Sequence, residues 1–370
     1  MLKLLHTADW QIGRVYSRFQ PEDAFALQEA RFQAVERLAQ LATEQQVDAV
    51  IVAGDVFDAQ SLSERTIRRL FNTLSAFQGN WLFIPGNHDA MLAEGVWQTV
   101  KRLGLLSERV QLLDEAKVTL LDSFQLAVLP APLRQRHTVH DLSLWFDDAM
   151  TPPDYYRVGI AHGSVQGILA EEASHNNPIA ANRAASAKLD YLALGDWHGL
   201  KQIDPRTWYS GTPEPDRFRN NDAGCALIVS IAHPGAVPTV ERVETARYCW
   251  VQLEHRIEGE SDLDALAIVL QPMSSDTVLE LTVVGQVSLE QQQRLQTLLN
   301  EHQARLRSLE ADTDQLTLVP DNADIAALKA DGYVAQVLEQ LRHESEQGQR
   351  QSAQALIELA SILGRIQQKG

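Results

Sequence analysis

Six short apolar runs, each ending on a turn rich in Asp, Gly, Asn or His, constrain this chain more than anything else in it. LKLLHTAD, VDAVIVAGD, NWLFIPGNHD, FQLAVLPAP, YRVGIAHG and LDYLALGDWHG have the length and continuous apolar character of buried strands. Between them, residues 22–46 and 61–77 carry apolar side chains at helical spacing, and Ser61 and Ser63 stand as N-caps for the second. Buried strands alternating with helices predict an α/β fold, and open sheets of that class gather ligands at the C-terminal ends of their strands. The runs of this chain place their Asp and His residues at those ends.

The rest of the chain changes character in steps. Residues 208–232 predict two further strands around a turn-rich loop, closing a first domain at 1–245. WVQLEHRI and TVLELTVVGQV alternate like half-exposed strands, a helical pattern follows, and DQLTLVP is one more strand, so 246–320 predicts a small second domain of mixed α and β structure. Two amphipathic helices, about 324–346 and 351–367, make up a C-terminal segment, 321–370. Cys225 and Cys249 lack the close Cys or His neighbours of a zinc site and read as buried small hydrophobes. No membrane span and no signal-peptide pattern is visible, which predicts a cytoplasmic protein with no membrane partner. The net charge of -17 argues against a simple polyanion-binding surface. A centre that holds divalent cations also concentrates carboxylates, however, so the charge leaves a phosphodiester substrate open.

Five strand-end motifs carry groups that bind divalent metals: Asp9-Trp10-Gln11, Gly54-Asp55-Val56-Phe57-Asp58, Gly86-Asn87-His88-Asp89, Ala161-His162-Gly163 and Gly195-Asp196-Trp197-His198. Any one alone reads as turn formers and caps. The GlyAsnHisAsp element is more specific, because it puts an amide oxygen, an imidazole and a carboxylate on one turn after an apolar strand.

Together and in this order the motifs resemble those of the binuclear metallophosphoesterases, and HTADWQIGR, GDVFD and the spacing of the last two motifs are similar to the SbcD-type DNA repair nucleases. The resemblance runs from Lys3 to Ile231, and more loosely to about residue 320. It implies two packed mixed β-sheets flanked by helices, the calcineurin-like core, with a capping domain behind it. It also implies two divalent ions, about 3.5 Å apart, that generate a hydroxide nucleophile and stabilise the transferring phosphoryl group. Carried over by position, Asp55 bridges both ions, Asp9, Gln11 and His198 complete one site, and Asn87, His162 and Asp196 the other. His88 then touches the scissile phosphate without binding metal. The implied substrate is DNA, in repair or processing of ends, and the implied partner is an SMC-like (SbcC-type) ATPase, with a second copy of this chain a further candidate.

Two positions depart from the family pattern of Asp-x-His and Gly-His-x-His. Gln11 and Asp196 offer oxygen in place of imidazole, which favours manganese, or magnesium, over zinc. Candidate DNA contacts are Arg14, Tyr16 and Arg18 after the first motif and Arg134 and Arg136, with His137 and His140, after ValLeuProAlaPro. Arg65, Arg68 and Arg69 read as a solvated helix face. Two alternatives stay open at this point: a phosphoesterase for substrates other than DNA, and a weakly active or non-catalytic subunit that recruits the ATPase.

Overall fold

The computed structural model describes residues 1–168, 177–219, 221–319 and 332–368, and the chain divides into two compact units, Met1–Tyr248 and Cys249–Gly370. The strands of the first unit are β1 (Leu2–Thr7), β2 (Ala49–Val52), β3 (Asn80–Phe83), β4 (Val110–Leu112), β5 (Thr119–Leu121), β6 (Leu126–Ala131), β7 (Tyr156–His162), β8 (Ser164–Val165), β9 (Pro178–Ile179), β10 (Tyr191–Gly195), β11 (Lys201–Asp204), β12 (Thr207–Tyr209), β13 (Cys225–Ile231) and β14 (Thr239–Glu244). Its helices are α1 (Pro21–Glu44), α2 (Glu64–Thr73), α3 (Val96–Arg102) and the single turn α4 (Arg183–Ser186).

Two six-stranded sheets result, one ordered β14-β13-β1-β2-β3-β4 and the other β11-β12-β10-β7-β6-β5. Both are mixed. β1 to β4 run parallel with β13 antiparallel beside β1, and β12, β10, β7 and β6 run parallel between antiparallel edges. The alternation of side chains along each strand decides the layering. Leu4, Ala49, Ile51 and Leu82 face Val128, Val158, Ile160 and Ala193 in a core between the sheets. Their neighbours Leu5, Val50, Val52, Trp81 and Phe83 turn the other way, against Val35, Leu38 and Leu41 of α1 and Ile67 of α2. The outer face of the second sheet buries Leu129, Ala161, Leu192 and Leu194 with Phe146 and Ala184. Every central strand is covered on both faces, which is why the runs read as continuously apolar.

The strands missed from sequence are short or peripheral. β4 and β5 have three residues each, and β14 is an edge strand whose TVERVE is mostly exposed. α2 takes Ser63 as its N-cap, whose Oγ accepts the Thr66 amide at 3.1 Å, and not Ser61. Arg69 of α2 forks onto Glu29 of α1 and lies 3.9 Å from the centre of the Phe32 ring, so one of the three arginines joins two helices.

The second unit contains β15 (Cys249–Ile257), α5 (Glu260–Leu270), β16 (Thr277–Val287), α6 (Leu289–Arg305), β17 (Ser308–Asp312), β18 (Leu316–Leu318), α7 (Tyr333–Glu346) and α8 (Arg350–Gln368). β16 pairs in parallel with β15 on one side, and with β17 and then β18 on the other. Leu279, Leu281 and Val283 alternate onto the face that packs Leu263 and Leu266 of α5 and Leu295 and Leu299 of α6. Ser288 and Gln291 form a capping box at the start of α6. α7 and α8 pack against each other, burying Leu338, Leu356 and Ala360, and the Ser352 hydroxyl donates to Glu344. The predicted start of the first of these helices, 324–331, lies outside the described residues. Cys225 is buried, but Cys249 is exposed, contrary to expectation, because it opens a strand whose outer face is uncovered. No described helix is long and apolar enough to cross a membrane.

One buried imidazole ties the two sheets together. His6 of β1 donates from Nε2 to the Leu194 carbonyl at 3.2 Å, which leaves Nδ1 to accept the Tyr191 hydroxyl at 2.9 Å. Burial pushes its pKa from 6.5 down to about 3. The unfolded chain therefore takes up the proton first, so the stability His6 confers is complete above about pH 6.5 and is lost as pH falls towards 3. Chemical denaturation of wild type and His6→Gln across this range tests the assignment. The wild type should lose stability relative to the variant by roughly 1.4 kcal/mol per pH unit, and parallel pH profiles would refute it.

Candidate metal centre

The five motifs occupy the C-terminal ends of parallel neighbours: β1, β2 and β3 in one sheet, β7 and β10 in the other. Hydrogen bonds across the gap draw them together. The His162 ring reaches the Ala53 carbonyl at 2.8 Å, and the Asp196 amide donates to both oxygens of Asp9 at 3.2 Å. The backbone is held in unusual conformations to do this. Asp9, Gln11, Asp55 and Asp196 have φ of 55°, 50°, 53° and 99°, in the left-handed region that ordinary side chains avoid. Gly86 is required by close approach, because a Cβ there would lie 2.2 Å from Asp55 Oδ1.

Asp9, Asp55 and His162 place one donor atom each within 4.8 Å of one another, all buried. The Ala53 carbonyl can only accept, so His162 carries its hydrogen on Nδ1 and presents the Nε2 lone pair to the carboxylates, 3.5 Å from Asp55 and 3.7 Å from Asp196. Asn87 Oδ1 stands 3.3 Å from the same nitrogen. Gln11 donates from Nε2 to Asp55 at 2.8 Å, while its Oε1 is buried without a hydrogen-bond partner among the described residues. A buried acceptor with no donor, beside three carboxylates and an imidazole lone pair, fits a cation better than any protein group.

The electrostatics agree. Burial raises the Asp9 carboxyl to about 6, against the pull of His198 and His162 and with help from Asp55 and Asp196. Burial also raises Asp196. For His162, burial acts to lower the pKa, but Asp55, Asp9 and Asp196 outweigh it and lift the ring to about 9. Acids and base alike shift in the direction that adds positive charge.

The two remaining histidines flank this group. His88 donates from Nδ1 to the Asp58 carbonyl at 2.9 Å, and its Nε2 lies 4.0 Å from Asp55, with 29% of the side chain exposed. His198 stands apart from the Asp9, Asp55 and His162 trio. Its Nδ1 is 3.0 Å from Asp216 and 2.9 Å from Arg217. Asp216 can only accept and Arg217 can only donate, so the ring's tautomer turns on which of the two Nδ1 serves.

The supporting groups are less visible in the sequence. Asp89 of the third motif accepts the amides of Gly86, Val56 and Phe57 at 2.6, 2.9 and 3.2 Å, locking the second and third motifs together. Arg31 is buried in α1 and donates to the Trp10, Asp9 and Glu214 carbonyls, the Tyr16 hydroxyl and Thr212. Its one signal was an arginine inside an apolar helical stripe. Trp10 packs edge-on against Trp81 and Phe83 and anchors the first motif in the helix-side core.

The candidate DNA contacts separate in the structure. Arg18, Arg134 and Arg136 are exposed. Arg14 is tied to Asp216 and Asp58 at 3.2 and 3.4 Å. Tyr16 is only 4% exposed and receives Arg31 on its hydroxyl, so its ring has no open face for a base, a correction to the sequence expectation.

Gly86→Ala tests whether these groups form one centre. The added methyl must displace Asp55, and manganese affinity measured by calorimetry should fall at least ~10-fold, as when a ligand loses its support. Unchanged affinity in a folded variant would separate Asp55 from the metal.

Comparison with known proteins agrees with this geometry. Residues 2–233 match the calcineurin-like phosphoesterases. The chain is 24% identical to the DNA double-strand break repair protein Mre11 of Methanosarcina acetivorans over 275 residues, 70% of this chain and 41% of that protein. It is 27% identical to the protein of the same name from Aeropyrum pernix, over 70% of this chain and 63% of that one. Against the SbcD component of the Escherichia coli nuclease SbcCD the identity is 35%, over 24% and 22% of the two chains. The chain thus spans about two fifths of the first relative's length. A family match over most of the chain, on residues that carry the convergent donor set, makes this protein a member of the calcineurin-like phosphoesterase family, which uses divalent metals.

Proposed function

We propose that the chain is a metal-dependent DNA nuclease that hydrolyses phosphodiester bonds with two divalent ions sharing Asp55. The observation that carries the reading is the convergence of Asp9, Asp55 and His162 around the unpartnered Gln11 Oε1. Asp9, Gln11 and His198 are assigned to one ion, and Asn87, His162 and Asp196 to the other. The oxygen-rich set favours manganese, with magnesium as the second choice. When bound, the ions supply Lewis acidity that lowers the pKa of water and stabilises charge on the phosphoryl group.

The chain's own residues do the rest. His88, oriented through Nδ1 by the Asp58 carbonyl, holds Nε2 at the mouth of the centre, where its protonated form donates to a phosphoryl oxygen or gives a proton to the leaving oxygen. Asp55 and Asp9 are kept rigid by the amides of His88 and Asp196. DNA as the substrate rests on the names of the relatives, double-strand break repair proteins and a nuclease component. Exposed Arg18, Arg134 and Arg136 are then backbone contacts. In the same reading 1–245 is the nuclease domain, 246–320 caps it, and the hairpin of α7 and α8 attaches an SMC-like ATPase in a cytoplasmic complex. Removing the chain from residue 321 should abolish co-purification with that ATPase and leave metal-dependent cutting intact; an unchanged complex would refute the attachment.

Cleavage of single-stranded and broken duplex DNA, against a metal series, tests the main reading. Activity should be highest with manganese and absent in Asp55→Ala. His88→Ala should keep its metal content and lose at least ~100-fold in rate. Strong cutting by Asp55→Ala, or metal loss in His88→Ala, would overturn the respective assignments.

A further inference from the structure

One arginine beside the centre holds a buried carboxylate with two of its nitrogens and leaves the third without a hydrogen bond to any described residue. Asp216, with 1% of its side chain exposed, receives Arg217 as a fork, Nε on Oδ1 and Nη2 on Oδ2, both at 3.0 Å. The same carboxylate already meets His198 at 3.0 Å and Arg14 at 3.2 Å. Arg217 thus supplies two hydrogen bonds to a carboxylate that His198 and Arg14 also approach, and because the two residues are adjacent in the chain their pairing joins no distant elements. Arg14 is different: a single nitrogen reaches both Asp216 and Asp58, linking the carboxylate behind His198 to the residue behind His88.

The position of Arg217 is informative in two further ways. Its Nη2 lies 2.9 and 3.4 Å from the two ring nitrogens of His198, and it is close enough to feel the charge of Asp9. Its Nη1 makes no hydrogen bond to any described residue, and the side chain is 40% exposed. A guanidinium preset by a buried carboxylate loses little freedom when it binds, and its planar fork matches a phosphate. An anionic substrate approaching Asp9, Asp55 and Asp196 needs such a cation at the edge of the carboxylate cluster.

We infer that Arg217 is a phosphate-binding residue of this site, holding a non-bridging oxygen of the phosphodiester beside His198. The inference rests on the proposed phosphodiesterase reading, but not on DNA being the substrate.

The test uses full-length wild type, Arg217→Gln and Arg217→Lys. Two probes are read: a fluorescein-labelled single-stranded oligonucleotide, with calcium replacing manganese, across a salt series, and inorganic phosphate as an inhibitor of bis(p-nitrophenyl) phosphate hydrolysis. In Arg217→Gln, oligonucleotide affinity should fall ~10-fold and the log–log salt slope by about one, with a similar rise in the phosphate inhibition constant. Manganese content should match wild type, and any fall in melting temperature reports the two hydrogen bonds to Asp216. Arg217→Lys should restore the salt slope and only part of the phosphate affinity, because the charge remains and the fork is lost.

An unchanged slope and inhibition constant in metal-replete Arg217→Gln would overturn the inference and leave Arg217 as a loop anchor. If Arg217→Gln loses metal or stability, Arg217→Lys decides, and wild-type phosphate inhibition there also overturns it. Should wild type hydrolyse the small diester but bind no oligonucleotide, the DNA reading fails while the inhibition constant still judges Arg217.

Discussion

The buried carboxylate of Asp55 is the point to which the rest of the first unit is fitted. Its carbonyl accepts the Gln11 amide at 3.0 Å, Oδ1 accepts the His88 amide at 2.8 Å, and Oδ2 accepts the Gln11 side chain at 2.8 Å. Three motifs are thereby joined through one residue that itself sits in a left-handed conformation. Burying Asp55 with Asp9 and Asp196 is costly unless positive charge is supplied. Without a cation the cluster compensates by taking up protons, which is the meaning of the raised pKa of Asp9 and His162. The strained backbone and the bare Gly86 Cα are conditions for bringing these groups together, and they are maintained by strands covered on both faces.

Behind this centre lies a layer of buried charged residues, Arg31 and Glu214. Arg31 gathers three carbonyls and two hydroxyls from the first motif, from Tyr16 and from residues 212–214. Glu214 in turn accepts the amides of Arg247 and Tyr248, the last residues of the first unit. Removing one partner from such a network leaves buried hydrogen-bonding groups unsatisfied, at a cost of about 1–3 kcal/mol each. The geometry of the site is thus coupled to the stability of its unit, and substitutions at Arg31 or Glu214 act on both.

The sequence made the central strands and the donor residues legible, because both leave strong patterns: continuous apolar runs, and Asp, Asn and His at the turns that end them. Asp9, Asp55 and His162, the trio that converges in the structure, come from three of those turns. What the sequence concealed depends on tertiary partners. Arg31 lies at an interior position of α1 that a pattern assigns to an apolar residue, and only the carbonyls around it explain the exception. Tyr16 and Arg18 sit two residues apart in the same loop, yet one is buried and the other exposed, a distinction that spacing alone does not carry. Asp216 and Arg217 fell in a stretch that read as a turn-rich loop, and their relation to His198 appears only once β10 and β12 lie side by side.

The central claim is that two ions share one carboxylate, and electron paramagnetic resonance of the manganese-loaded, full-length protein addresses it most directly. At saturation the account predicts two manganese ions per chain with an exchange-coupled spectrum, since two ions held by one Asp55 carboxylate would be close enough for their spins to interact. A spectrum of isolated manganese at saturation, or a single ion per chain, would contradict it.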